Sequence, residues 1–271
     1  MLLKKTTKQE ILSISHYNIL NGGEGRLNDI LKVIKGINPD ICGLLEAVKW
    51  QNKSGRFRKI ANNLGYKFVH LAVANSKYNI AVFSKLPIGV KVIKKGIRHV
   101  ALEATVKSGP FKRLSIFFIH LSPASEDARL LEIKELLKHA QKLSQAVIMG
   151  DLNSLSCRDP YNRRKILKAF QKNSVTKYGT RKLRFDVIKK LNSAGFKDAM
   201  FYLKRSFAAS TPTPSNKDVS HSASVRIDYA FLSKNILKYL KEAKVFKNRA
   251  ADKASDHYPM YIKLIKNERG S

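Results

Sequence analysis

Apolar and polar residues alternate along residues 11–18, as on a strand with one buried face, and the run ends in Tyr17-Asn18. Beyond Gly22-Gly23, Leu27, Ile30, Leu31, Ile34 and Ile37 recur at helical spacing, and Asn38-Pro39 stops the helix. Residues 40–46 form a second, buried strand that closes on Glu46. The order strand, helix, strand thus sets Asn18 and Glu46 at two strand ends. A helix over 54–64 ends at Gly65, which suits a left-handed cap. Strand-like runs follow at 66–73, 78–84, 90–94, 100–106 and 114–121, with turns at 85–87 and 107–110, a spacing that predicts antiparallel hairpins.

Ser125-Glu126-Asp127 opens another helix: the serine can cap it, and the two acids meet the positive end of its dipole. Leu130, Ile133, Leu137 and Ala140 make its buried face. Val147-Ile148-Met149 is a buried strand; Gly150 is expected to let the chain turn sharply, with Asp151 and Asn153 projecting from the strand end. Alone, Asp151-Leu152-Asn153 is more often an ordinary turn in which both side chains bond their own backbone. The segment 158–205 reads mainly helical, with Ile166, Leu167 and Phe170 as one stripe and Val187, Ile188 and Leu191 as another. A proline-restricted loop covers 211–216, and a polar stretch runs on to Ser224. A strand at 225–232 and, after a loop at 254–259, a last strand at 260–265 complete the pattern. Both halves alternate strands with helices and no Gly/Ser/Pro-rich linker divides them, which predicts one domain over 1–271 with two similar sheets packed together.

Charge changes this picture. Lys and Arg number 52 against 20 Asp and Glu, a net +32, which favours a polyanionic partner unless lysine merely fills solvated surface. Between 158 and 205, fifteen Lys and Arg stand against three acids (Asp159, Asp186 and Asp198). Arg158, Arg163, Arg164, Lys165, Arg181, Lys182 and Arg184 are candidate nucleic-acid contacts. Tyr161, Phe170, Tyr178 and Phe185 interleave with them, some as core and one or two as surfaces on which bases could stack. No run of about 18 apolar residues exists to span a membrane. The first eight residues lack the apolar core of a secretory leader. Cys42 and Cys157 lie far apart and form no disulfide framework, so a reducing cytoplasm is expected, as is a monomer.

The polar residues at strand ends are Asn18, Glu46, Asn79, His120, Asp151, Asn153, Asp228, Asp256 and His257. Any one alone is most simply structural. In order, however, the pieces Tyr17-Asn18, Leu45-Glu46, residues 78–84, His120-Leu121, Gly150-Asp151-Leu152-Asn153, Arg226-Ile227-Asp228-Tyr229 and Ser255-Asp256-His257 with Pro259 resemble the endonuclease/exonuclease/phosphatase family, the DNase I-like fold. The set spans nearly the whole chain. The resemblance implies an α/β four-layer sandwich: two mixed β-sheets packed face to face, with helices on the outside. It also implies a divalent metal, Mg²⁺ with Mn²⁺ as a substitute, and hydrolysis of a phosphoric ester. By it, Glu46 is the main metal ligand with Asn18 beside it, and Asp256 lies close to the metal. Asp151 positions or deprotonates the attacking water, while Asn153 and Asn79 donate to phosphate. Asp228 pairs with His257, and His120 contacts phosphate oxygens.

Elementary chemistry supports these roles. Mg²⁺ takes one or two carboxylates plus waters and phosphate oxygens. A histidine beside a carboxylate stays better protonated, which suits an electrostatic role. The chain also departs from part of the family. Nucleases specific for abasic sites usually carry Tyr where this chain has His120, and a Trp-bearing loop where it has residues 210–214; the single tryptophan here is Trp50. A nuclease acting on DNA, or on RNA, is therefore the leading expectation. The alternatives are a phosphatase or phosphodiesterase of small or lipid substrates, a 5′-tyrosyl-DNA phosphodiesterase-like repair enzyme, and a nucleic-acid-binding protein without activity.

Overall fold

The computed structural model describes residues 9–267. The first eight residues, read above as no secretory leader, lie outside them. In chain order the elements are β1 (Gln9–Asn18), α1 (Leu27–Ile37), β2 (Ile41–Leu45), α2 (Ser54–Asn63), β3 (Phe68–Ala72), β4 (Ile80–Ser84), β5 (Ile88–Ile93), β6 (Ala101–Val106) and β7 (Ser115–His120). Then come α3 (Glu126–Ala140), β8 (Ala146–Asp151), α4 (Arg163–Lys172), α5 (Asp186–Ser193), β9 (Lys197–Asp198), α6 (Ala199–Tyr202), β10 (Asp228–Leu232), α7 (Lys234–Leu237), β11 (Leu240–Val245), α8 (Ala251–Ala254) and β12 (Met260–Asn267). The expected punctuation is in place: Asn38 takes a left-handed conformation after α1, and the Ser125 hydroxyl accepts from the Ala128 amide at the start of α3.

The strands form two six-stranded sheets, β11-β12-β1-β2-β4-β3 and β5-β6-β7-β8-β10-β9. Each has one parallel pair near its centre, β1 with β2 and β7 with β8, joined by a crossover helix; every other pairing is antiparallel. This is the expected α/β sandwich with helices around it. Strand β7 shows why its sequence is apolar without alternation. Ile116 and Phe118 pack between the sheets, whereas Phe117 and Ile119 pack outward with α3 and α5. Both faces are covered, so both are hydrophobic.

Several features depart from the sequence pattern: the segment 158–205, expected to be mainly helical, is helical only over α4, α5 and α6, and β9, α7 and α8 are too short to leave a periodic signal. Strand β11 was not foreseen: it is an edge strand whose Lys241, Glu242 and Lys244 reach solvent, leaving only a weak apolar signal. Gly150 does not turn the chain. It is the penultimate residue of β8, and a Cβ there would collide with the backbone carbonyl oxygen of Ile119 on the neighbouring strand. Glycine is needed for that close approach.

A second close approach joins the sheets. The ring of Phe118, fully buried, fills the space a side chain on Gly43 would occupy. Phe118→Ala should cost about 3–5 kcal/mol in urea unfolding. Gly43→Ala should destabilise by overpacking, yet lose part of that cost when combined with Phe118→Ala. Strict additivity in the double-mutant cycle would show that the two positions do not share this space.

Candidate active site

The ends of the two parallel pairs meet at one edge of the sandwich. Asn18 ends β1, opposite Leu45, and Glu46 follows directly. His120 ends β7 in register with Asp151 at the end of β8, and Asp228, which starts β10, is the antiparallel partner of Asp151. One row across the second sheet therefore reads His120, Asp151, Asp228. The loop before β12 adds Asp256 and His257. Asn18 ties the sheets together: its carboxamide nitrogen donates to Glu46 Oε1 at 3.1 Å and to Asp151 Oδ2 at 3.3 Å.

Asp151 is the centre of the arrangement. Its Oδ1 accepts the Asn153 amide N–H at 2.8 Å. Its Oδ2 lies 3.4 Å from His120 Nε2 and 3.8 Å from His257 Nε2. Burial pushes the carboxyl up, but His257, His120, the Asn153 amide and Lys177 together hold it below its ordinary value. His257 Nδ1 donates to Asp228 Oδ2 at 2.7 Å. Burial lowers the His257 imidazole, but Asp228, Asp151 and Asp256 outweigh it and raise its pKa to about 10. Asp256 is likewise pushed up by burial, yet His257 and His221 keep it well below the carboxylate range. Thus Asp151 and Asp256 are ionised and His257 is protonated at neutral pH.

The loops that carry these groups are clamped. Glu46 has a left-handed φ of 61°, which a non-glycine residue holds only under constraint. Its carbonyl accepts from the Gly22 amide at 2.7 Å, and its Oε2 accepts from the Asn21 amide at 2.9 Å. The proline-restricted loop has a clear purpose. Ser210 Oγ accepts from the Ile227 and Asp228 amides, while the Thr211 and Thr213 hydroxyls donate to the carbonyls of Asp256 and Ser255. It joins the start of β10 to the Asp256-His257 loop. Behind Asn153, the buried Arg129 pairs with Glu126 and donates to Ser154 Oγ and to the Ser122 and Lys177 carbonyls.

All the strand-end residues singled out in the sequence come to this edge, with differences in what they touch. Asn79 directly precedes β4, but its carboxamide is committed to the Ala74 amide, the Ala47 carbonyl and Gln51. Asn153 donates to the Leu121 carbonyl and accepts from Lys177 Nζ at 3.4 Å. Arg158, Arg163, Arg164, Lys165, Arg181 and Lys182 are exposed, whereas Arg184 is engaged by Asp127 and Asp186. The aromatic residues offered for stacking are mostly core: Phe170, Tyr178 and Phe185 are buried, and Tyr161 hydrogen-bonds Asp159 and the Arg226 carbonyl.

Four further residues were not foreseen. His16, fully buried, places Nδ1 3.8 Å from Asp228 Oδ1, and desolvation lowers its pKa. It shares a strand face with Asn18, so the period of two could have found it. His99 packs 5.0 Å from the His120 ring and is pushed down to about 3, first by burial and then by His120. Lys177, buried in the basic segment, has its pKa lowered by desolvation. His221 lies 3.4 Å from Asp256, and with Asp256 and His257 it offers ligand atoms within 4.8 Å of one another. Nothing local in the sequence marks Lys177 or His221.

The profile of the Endonuclease/Exonuclease/phosphatase family matches residues 15–257, and the chain belongs to that family. It is thereby an enzyme of the phosphoric ester hydrolase class, in a family whose members depend on divalent metals. Solved structures share the fold. An AP endonuclease from Archaeoglobus fulgidus superposes with a TM-score of 0.69 at 17% identity, over 93% of this chain and 98% of that one. The Neisseria 3′ phosphatase NExo bound to product DNA hairpin gives 0.70 at 15% identity, over 93% and 99%. A family member from Beutenbergia cavernae gives 0.64 at 16%, over 95% of this chain and 72% of its own. No curated protein matches the chain in sequence.

The His257–Asp228 pair has a pH signature in the metal-free protein. The folded pKa, about 10, lies above the ordinary 6.5, so the pair's contribution to stability is full below pH 6.5 and is lost as pH rises through about 10. Urea midpoints should fall over that window. Asp228→Asn should flatten the fall and bring the His257 NMR titration down toward neutrality; an unchanged titration would remove Asp228 as the cause.

Proposed function

We propose that this chain is a divalent-metal-dependent nuclease that hydrolyses phosphodiester bonds of DNA, with RNA as a second substrate class. The observation that carries the reading is the setting of Asp151: a buried, ionised carboxylate between two imidazoles, with one oxygen locked by a backbone amide. The donor set supports a hard cation. Glu46, Asp151, Asp228 and Asp256 are four buried carboxylates in one cleft, with the cationic His257 among them and Lys177 beside Asn153. Glu46 and Asp256 offer oxygen ligands with Asn18 beside them, the kind of set Mg²⁺ or Mn²⁺ takes. Bound there, the ion would screen the phosphate charge and favour departure of the anionic leaving group.

The chain's own groups supply the rest. Asp151 Oδ2 accepts a proton from water as the water oxygen bonds to phosphorus. His257, kept cationic by Asp228, faces the negative charge that grows on the phosphoryl oxygens. His120, flanked by the neutral His99, contacts the same oxygens or the leaving group. Lys177 and Asn153 lie on the side toward the basic segment. DNA is favoured by the net charge of +32 and by the exposed basic side chains that follow the Asp151 loop. The DNA-bound Neisseria relative has the same fold.

Plasmid DNA, single strands, RNA and a lipid phosphodiester, assayed in parallel with Mg²⁺, test this reading. Cleavage of nucleic acid should stop with chelator. Asp151→Asn should lower turnover by about 10²–10⁴-fold while the protein stays folded. Turnover of the lipid ester alone, or full activity in Asp151→Asn, would overturn it.

A further inference from the structure

Beside the Asp151 loop lies a groove that the hydrolytic site does not use. It is about 730 Å³ and is bounded by the 158–160 loop, by β9 and α6, and by residues 204–207. Its walls are aromatic and open: Phe201 is 51% exposed, Tyr202 47% and Phe207 38%, among the most exposed large apolar side chains of the described residues. Two of these rings are held in place. The Arg158 guanidinium lies 4.3 Å from the Phe201 ring centre, and Phe207 packs edge-on against Tyr161 at 5.5 Å.

The charge of the groove is one-sided. Lys197, Lys204 and Arg205 are exposed at its rim with Arg158. The two acids that line it, Asp159 and Asp198, are both taken by the buried Arg226, at 2.7 Å each. The groove therefore offers ring faces and cations with no free carboxylate. Aliphatic chains have no need of flat ring faces, and a duplex keeps its own base faces stacked inward. Unpaired nucleotides need both features: a cationic path for the backbone and π-faces for the bases. The groove also adjoins the site through the backbone. Arg226 lines it two residues before Asp228, and Arg158 lines it five residues after Asn153.

We propose that this groove binds a single-stranded segment of nucleic acid, stacking bases on Phe201, Tyr202 and Phe207 beside the hydrolytic cleft. The proposal rests on the reading of the protein as a nucleic-acid enzyme, and it assigns the unpaired part of the substrate to residues that no strand-end motif contains.

Binding measured in chelator separates the groove from catalysis. The 271-residue protein is titrated into a fluorescein-labelled oligothymidine of about 12 nucleotides, a blunt DNA hairpin and anionic phospholipid vesicles. Phe201→Ala and Tyr202→Ala should each weaken oligothymidine binding by roughly tenfold at fixed salt, with hairpin affinity nearly unchanged. Phe201→Trp should retain affinity, and oligothymidine should quench its emission beyond any change at Trp50 in the unsubstituted protein. Unchanged oligothymidine affinity in both folded alanine variants, equal losses for hairpin and single strand, or a loss confined to vesicles would each overturn the proposal. A protein that cleaves no nucleic acid with Mg²⁺ would defeat the nuclease reading on its own, while these titrations still decide the groove.

Discussion

The structure depends on holding carboxylates where water cannot fully solvate them. Asp151 and Asp228 are register partners on adjacent strands, and Glu46 and Asp256 close in from the other sheet. A buried charge is costly unless paired and hydrogen-bonded. Here each is answered by a specific group: His257 on Asp228, the Asn153 amide and two imidazoles on Asp151, the Asn21 amide and Asn18 on Glu46, and His221 near Asp256. The result is a concentration of negative charge inside a protein whose surface is strongly positive. Such a field would draw a polyanion to the outside and favour a cation within.

The fold supplies the rigidity this demands. The two parallel pairs place their carboxyl ends at one edge, where side chains leave the sheets without disturbing the ladder. Covalent neighbours do little of the positioning. The 210–214 loop fixes the Asp256-His257 loop, Gly22 and Asn21 fix Glu46, and the buried Arg129–Glu126 pair fixes the turn after Asp151. These supports lie far from their targets in sequence, so the site is only as precise as the packing of the two sheets.

Much of the architecture was legible because both periods were clean. Strands β1, β2, β7, β8, β10 and β12 and helices α1 and α3 lie where apolar patterning places them, within a few residues. Strand β11 escaped because an edge strand facing solvent has little apolar signal. The glycine before Asp151 was read as a turn, since local sequence cannot distinguish a turning glycine from one required by a neighbouring strand. The aromatic residues of the basic segment show the same limit. Phe170, Tyr178 and Phe185 sit among the charges in sequence but are buried in a small satellite core, and the open rings are Phe201, Tyr202 and Phe207.

The sequence by itself determined the family and the order of the chemical groups, because those residues occupy strand ends whose spacing is set by the ladder. It also determined the charge balance, a sum that needs no coordinates. Only the tertiary structure decided protonation and partnership: that His257 is cationic while His99 is neutral, that Asn79 braces a loop, and that His16, Lys177 and His221 join the cleft. The physical reason is that desolvation and Coulomb interaction depend on distances across two sheets, between residues as far apart in the chain as His16 and His257.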